Sequence, residues 1–270
     1  MSPRLRLLCV LAHPDDESLG TGGTLAKYAS EGVETFVVTA TRGERGRFGD
    51  VEPRPGPDVV GRAREAELRA AAGVLGVKEV SFMDYLDADL DQAPPQEVIE
   101  KIAGHVCRIR PQVVVTFGPD GAYGHPDHIA ISQFTAAAIV RAAADSDEGS
   151  GSDRSAHAVS KCYHITWDEQ NWTAYQLAFK KLSSKVDGVE RLAVVHPSWL
   201  ITTIVDASAH WETVWRAVQC HKTQMSVYGR LSELTPDEHK ALWGRQSFYR
   251  VFSTVNGGRS RETDLFEGLR

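Results

Sequence analysis

Two short stretches concentrate the residues that could do chemistry. The first, "AHPDDESLGTGG" (12–23), packs His13, Asp15, Asp16 and Glu17 into five positions and then turns glycine-rich. It admits three readings: a phosphate-cradling loop, a metal site, or an acidic turn at a strand end. Gly20, Gly22 and Gly23 give GxGG, short of the full GxGxxG spacing, and the acids before them would repel a pyrophosphate. Glycines that let a helix pack closely explain them better. The metal reading uses the same acids constructively, since imidazole and carboxylate are donors that zinc accepts, although Asp and Pro also make good turns. The second stretch, "GPDGAYGHPDHIA" (118–130), strengthens that reading. His125 and His128 are three apart at a helix start, with Asp127 between them, and share one face. Two histidines and one carboxylate around a metal leave a position open for water, the arrangement of a catalytic site.

The elements around these stretches can bring them together. "RLRLLCVLA" (4–12) is a continuous apolar run, as in a strand buried on both faces. "SLGTGGTLAKYASEG" (18–32) has helical spacing and "VETFVVTAT" (33–41) is β-branched, completing a unit with parallel strands. Helices over 59–76 and across "PPQEVIEKIAGHVCRIR" alternate with strands "EVSFMD" and "QVVVTF", and a helix over 125–144 closes the series, with Pro126 in its first turn. The pattern predicts a doubly wound, mostly parallel, Rossmann-like α/β sheet, whose ligand crevice lies at the carboxyl ends of the strands. Both motifs follow strands, so both reach that edge. The reading is of one domain over 1–270. Its core spans about 4–144, with a mobile, Gly/Ser-rich loop at about 145–157. A C-terminal extension, 158–270, whose pieces are too sparse for an independent core, would lengthen the sheet with "KCYHITW", "ITTIVDAS" and "QSFYRVFSTV" and wall the pocket.

Composition narrows the partners. A net charge of -6 and a pI near 5.9 offer no basic face for nucleic acid. No stretch approaches the ~18–20 apolar residues of a membrane span, and the apolar N-terminus is followed by acids rather than a cleavage site. Cys9, Cys107, Cys162 and Cys220 are widely spaced without a CxxC, which reads as free thiols in a reducing cytoplasm.

"AHPDDE" together with "YGHPDH" resembles the LmbE-like family of zinc-dependent N-acetylglucosaminyl deacetylases, over roughly residues 5–140, with a further likeness at "CHKTQ" (220–224). The resemblance implies one Zn2+ per chain, held by His13, Asp16 and His128. It implies Asp15 as general base, His125 beside the scissile carbonyl as a protonated oxyanion donor, and Asp127 orienting a ligand histidine. It also implies a small-molecule substrate, an N-acylated amino sugar or glycoconjugate, from which acetate is released. Homo-oligomerisation is left open.

Weaker claims attach to the flanking loops. Arg42, Glu44, Arg45 and Arg47 in "TRGERGRFGD" face the crevice and could form a mobile lid or grip sugar hydroxyls and an anionic group, a solvated loop being the plain alternative, while the family resemblance implies a structural or site-closing role for Glu44. Tyr123 could bond the oxyanion or simply pack. His221 is expected to line the site. Arg64 and Glu67 could tie their helix to the crevice or form a surface ion pair, and Asp87 and Asp89 read as turn residues sooner than as contacts to sugar hydroxyls. Two competing functions remain: a zinc amidase acting on a non-sugar amide, and a Rossmann-like protein holding a nucleotide. A silent carbohydrate-binding module is disfavoured, since it has no need of Asp15.

Overall fold

The computed structural model describes residues 4–144, 155–179, 183–186, 188–256 and 260–270. Uninterrupted apolar and β-branched runs form β1 (Arg6–Leu11), β2 (Glu34–Thr41) and β4 (Val113–Thr116), each buried on both faces; β3 (Glu79–Tyr85), more polar, is the edge. The connecting helices are α1 (Asp16–Ser30), α2 (Pro57–Leu75), α3 (Pro95–Ile109) and α5 (Pro126–Ala143), with one distorted turn, α4 (Gly121–Gly124), before the last. Proline opens α2, α3 and α5, where its missing N–H has no intrahelical partner to lose. Gly76, at φ 76°, ends α2 in the left-handed conformation that only glycine adopts without strain.

Seven strands form one sheet in the order β3-β2-β1-β4-β5-β9-β8, where β5 is Lys161–Thr166, β8 is Thr203–Asp206 and β9 is Arg245–Ser253. The first five are parallel; β9 and β8 are antiparallel additions. The chain winds outward from β1 to β3, then returns to place β4 on the other side of β1. Right-handed crossovers therefore put α1 and α2 on one face and α3 and α5 on the other. The reversal opens a crevice between the carboxyl ends of β1 and β4, where both histidine-bearing stretches emerge.

The C-terminal part adds α6 (Glu169–Ala178), α7 (Trp211–Val218), α8 (Pro236–Trp243) and a small hairpin, β6 (Ser183–Val186) with β7 (Val189–Leu192). It does extend the sheet. Its helices also gather an apolar cluster, with Val214, Val218, Leu231, Leu242 and Trp243 buried and Leu19 of α1 packed against them, so the extension is joined to the core through α1. The glycines of α1 serve this contact: a Cβ on Gly23 would stand 2.8 Å from the Ala207 Cβ and the Trp243 carbonyl, and one on Gly22 3.0 Å from Val214. Most of the loop anticipated at 145–157 lies outside the described residues. No described helix is long and apolar enough to cross a membrane, and none of the four cysteines is paired.

Candidate active site

The crevice is a cavity of about 920 Å³. At its floor three donors converge: His13 Nδ1 lies 3.2 Å from His128 Nε2 and 3.7 Å from an Asp16 oxygen, whose partner oxygen is 3.5 Å from His128 Nε2. Donors held at ~2.0–2.1 Å around a tetrahedral ion stand about 3.4 Å apart, which is the order of these spacings, with the two histidines facing different oxygens of the one Asp16 carboxylate; His125 also brings a ring nitrogen within 4.8 Å of those of His13 and His128. Each donor has a separate structural origin. His13 leaves β1 directly, Asp16 is held by the N–H groups of His13 (2.8 Å) and Ala12 (3.2 Å), and His128 sits in the first turn of α5 with its ring stacked on Phe117, centroids 3.9 Å apart.

Behind them lie carboxylates. His13 Nε2 faces Asp127 Oδ2 at 3.0 Å and Asp87 Oδ1 at 3.2 Å, which commits that nitrogen to its proton and turns the Nδ1 lone pair to the triangle. Asp127 is fully buried and also accepts the N–H groups of Ala88 and Leu90, so the loop after β3 is fastened to α5 through it. Asp87, expected to be a turn residue sooner than a sugar contact, is buried at 3.2 Å from His13 Nε2. Its position could not be read from "DYLDADL", because β3 had first to be placed two strands from β1.

Asp15 stands next to the triangle with φ 103°, left-handed and strained for a residue with a side chain. Arg64 (2.9 Å) and Tyr228 (2.6 Å) both donate to its Oδ2, leaving Oδ1 without a partner among the described residues. Arg64 also reaches the carbonyls of Pro14 and Gly43 and is buried, so the surface ion pair considered for it is replaced by a brace of the active loop. Tyr228 carried no sequence signal.

A family described as PIG-L, GlcNAc-PI de-N-acetylase, matches residues 8–139, the span that contains both stretches. A curated relative, the 1D-myo-inositol 2-acetamido-2-deoxy-alpha-D-glucopyranoside deacetylase of Kineococcus radiotolerans, is 35% identical over 98% of this chain and 83% of its own length. The chain belongs to this de-N-acetylase family. It is an amide-hydrolysing enzyme. Among solved structures, N,N'-diacetylchitobiose deacetylase from Pyrococcus horikoshii matches with a TM-score of 0.67 at 20% identity, covering 91% of this chain and 83% of that one. The 4-carboxy-2-hydroxymuconate hydratase GalB from Pseudomonas putida matches at 0.69 and 20%, covering 94% and 99%. These two likenesses speak to fold alone.

Electrostatics in the deacetylase favour one positive charge at the floor. Burial disfavours a charged His13, yet hydrogen bonds to Asp127 and Asp87 and the charge of Asp16 push its imidazole well above the ordinary range. Burial raises Asp16 to about 7, against the pull of His13 and with the push of Asp15. A divalent ion would take the place of these protons. His125 goes the other way: burial, then the charge of His13, lower it to about 4. Burial and His13 thus work against the protonated imidazole expected at this position. Its Nδ1 accepts the Asp127 N–H at 3.2 Å, so the neutral ring carries its proton on Nε2 and remains a donor.

The remaining anticipated contacts divide. Arg45 and Tyr123 line the cavity of the deacetylase, Arg45 held by Asp89 at 2.5 and 2.8 Å, and Tyr123 edge-on to His125 and His128. Arg47 does not: its side chain is exposed, and its carbonyl accepts from Gln224 Nε2 at 2.8 Å. His221 is also corrected. It is fully buried behind the cavity wall, 2.7 Å from Glu17, because the turn after α7 points it into α1 rather than toward the crevice. The opposite wall is aromatic, made by Trp167, Tyr175 and Phe179 from the C-terminal part.

Proposed function

We propose that this deacetylase removes the N-acetyl group from a conjugate of N-acetylglucosamine, with an inositol glycoside as the favoured class, and that the metal it uses is a single Zn2+. The observation that carries the reading is the triangle of His13 Nδ1, His128 Nε2 and the Asp16 carboxylate at the floor of the cavity, with Asp15 alongside and outside it. His13, Asp16 and His128 would hold the ion. When bound, it would polarise the amide carbonyl and make water more acidic.

The rest falls to the chain. Asp15 takes a proton from the attacking water as its oxygen bonds to the acetyl carbon, and Arg64 and Tyr228 keep that carboxylate aimed. Tyr228 stays protonated for this, since burial and the charge of Asp15 raise its hydroxyl well above the ordinary range. His125 donates from Nε2 to the carbonyl oxygen as charge develops there. The C–N bond breaks and the amine takes the proton from Asp15, giving acetate and a free amino sugar. The ring face of the sugar stacks on the aromatic wall, and its hydroxyls meet Arg45, Asp87 and Arg230. The whole chain acts as one unit, because Trp167 and Tyr228 of the extension share this cavity with residues of the parallel core.

The support from relatives is the deacetylase activity of the Kineococcus radiotolerans enzyme, with the match covering 98% of this chain and 83% of that one. The test is metal content by mass spectrometry of purified protein, followed by acetate release from N-acetylglucosaminyl-inositol and a panel of other N-acetylglucosaminides. Roughly one zinc per chain and acetate from the inositol conjugate in preference to simple glycosides are expected. Zinc-loaded protein that releases acetate from none of them would sink the substrate class and point to a non-sugar amide.

A further inference from the structure

We propose that Glu17 and His221 are a buried positioning pair that holds Asp15 in its working conformation. The pair thereby couples the segment 221–224 to turnover, and the inference rests on the reading of Asp15 as the base. Neither residue lines the cavity, and both are fully buried. Glu17 Oε2 accepts the Asp15 N–H at 2.9 Å, while its Oε1 accepts the Ser18 hydroxyl at 2.5 Å and meets His221 Nε2 at 2.7 Å.

The geometry gives this contact a purpose. Asp15 is strained at φ 103°, and its carboxylate is fixed at Oδ2 by Arg64 and Tyr228. Those bonds restrain the far end of the side chain. The bond from the Asp15 N–H to Glu17 restrains the backbone rotation that strain would otherwise release. An ion pair taken wholly out of water is a weak source of stability, so an anchor made only for stability would be better built from apolar groups. His221 is itself well anchored: Thr223 donates to Glu67 from N (2.8 Å) and Oγ1 (2.7 Å), Gln224 Nε2 donates to the Arg47 carbonyl, and Gly49 N donates to the Thr223 carbonyl at 2.7 Å. One short segment thus ties α1, α2 and the loop after β2 to the turn carrying Asp15.

The experiment compares Glu17→Ala, His221→Ala, their double variant and His221→Gln for kcat, KM, bound metal and thermal stability, using a conjugate that the wild type turns over. Each alanine variant should lower kcat about 10- to 100-fold, the scale of a misplaced reacting group. KM should stay within about 2-fold and metal content should be unchanged. The double variant should lose no more than the worse single, as one device predicts. His221→Gln, which still offers an N–H to Glu17, should recover most of kcat. Multiplying losses, a rise in KM at constant kcat, or lower stability with intact kcat would each overturn the proposal. If Glu17→Ala does not fold, the His221 variants decide alone. A crystal structure of His221→Ala gives a readout free of substrate: an Asp15 backbone that has rotated is expected, and an unmoved one refutes the pair's role. Wild-type protein that turns over nothing would instead count against the deacetylation reading, with the crystal comparison still deciding this one.

Discussion

At the floor of the cavity, neighbours in sequence are given different tasks by what touches them. Asp16 is turned inward by the N–H groups of Ala12 and His13, whereas Asp15 is turned away by Arg64 and Tyr228, and Glu17 is buried against His221. Substitution should separate these tasks. His13→Ala should abolish stoichiometric zinc, and Asp127→Ala should weaken zinc about 10- to 100-fold by freeing the His13 ring; competition with a metal-sensitive dye reads both. His125→Ala should keep zinc and lose about 10²- to 10³-fold in kcat, the usual cost of an oxyanion donor. Normal zinc affinity in His13→Ala would dismiss the donor set. The pairing of "HPDD" with "HPDH" made these residues legible. Asp87 and Tyr228 were not, because their partners stand 74 and 213 positions away and nothing in their own neighbourhoods marks them.

Among the elements, α1 carries the most consequence, since it starts at Asp16 and packs beneath α7. Its glycines were readable as packing rather than phosphate binding from the acids before them, and the contacts of Gly22 and Gly23 give the physical reason. Alanine is ordinarily the better helix former by about 1 kcal/mol. Gly23→Ala should nevertheless destabilise the protein by about 1–3 kcal/mol, because its Cβ would meet the Ala207 Cβ and the Trp243 carbonyl at 2.8 Å and nothing there is a flexible chain end. Urea denaturation measures this, and a gain in stability would show the helix free to move. The β6–β7 hairpin had no comparable signal. Its residues, with Val194, bond the carbonyls of Ala122, Tyr123 and Gly124 and so brace the strained turn leading to His125.

For the molecule as a whole, the question is what keeps the C-terminal extension on the parallel core. Much of the answer is Glu262, buried and bonded to Lys161 Nζ (2.7 Å), Tyr163 (2.7 Å), Thr203 (2.8 Å) and Asn256 (2.6 Å), so that β5, β8 and the C-terminal tail share one carboxylate. Burial alone would raise this group; Lys161 and the other donors win and lower it from 4.5 to about 2. A depressed carboxylate contributes stability that is complete above its unfolded value and lost as pH falls through the folded one. That contribution should be present at neutral pH and disappear as pH falls from about 4.5 to about 2. Glu262→Gln should flatten the stability profile in that window and cost about 3–5 kcal/mol at pH 7 by leaving Lys161 buried without its counter-charge. Thermal denaturation across pH reads both, and an unchanged acid limb would remove Glu262 from this role.

The local pattern by itself determined the alternation of strands and helices from residue 4 to 144, the strand-end position of both histidine stretches, and the division of the first stretch into acids for chemistry and glycines for packing. Those features follow from period, turn residues and donor chemistry, all of which act over a few positions. Tertiary structure alone decided that β1 and β4 lie side by side, that Asp87 and Tyr228 join the cavity, that Arg47 and His221 do not, and that burial pushes the His125 imidazole downward. Each of these depends on which distant groups share a desolvated space, and that is a property of the packed chain rather than of any stretch within it.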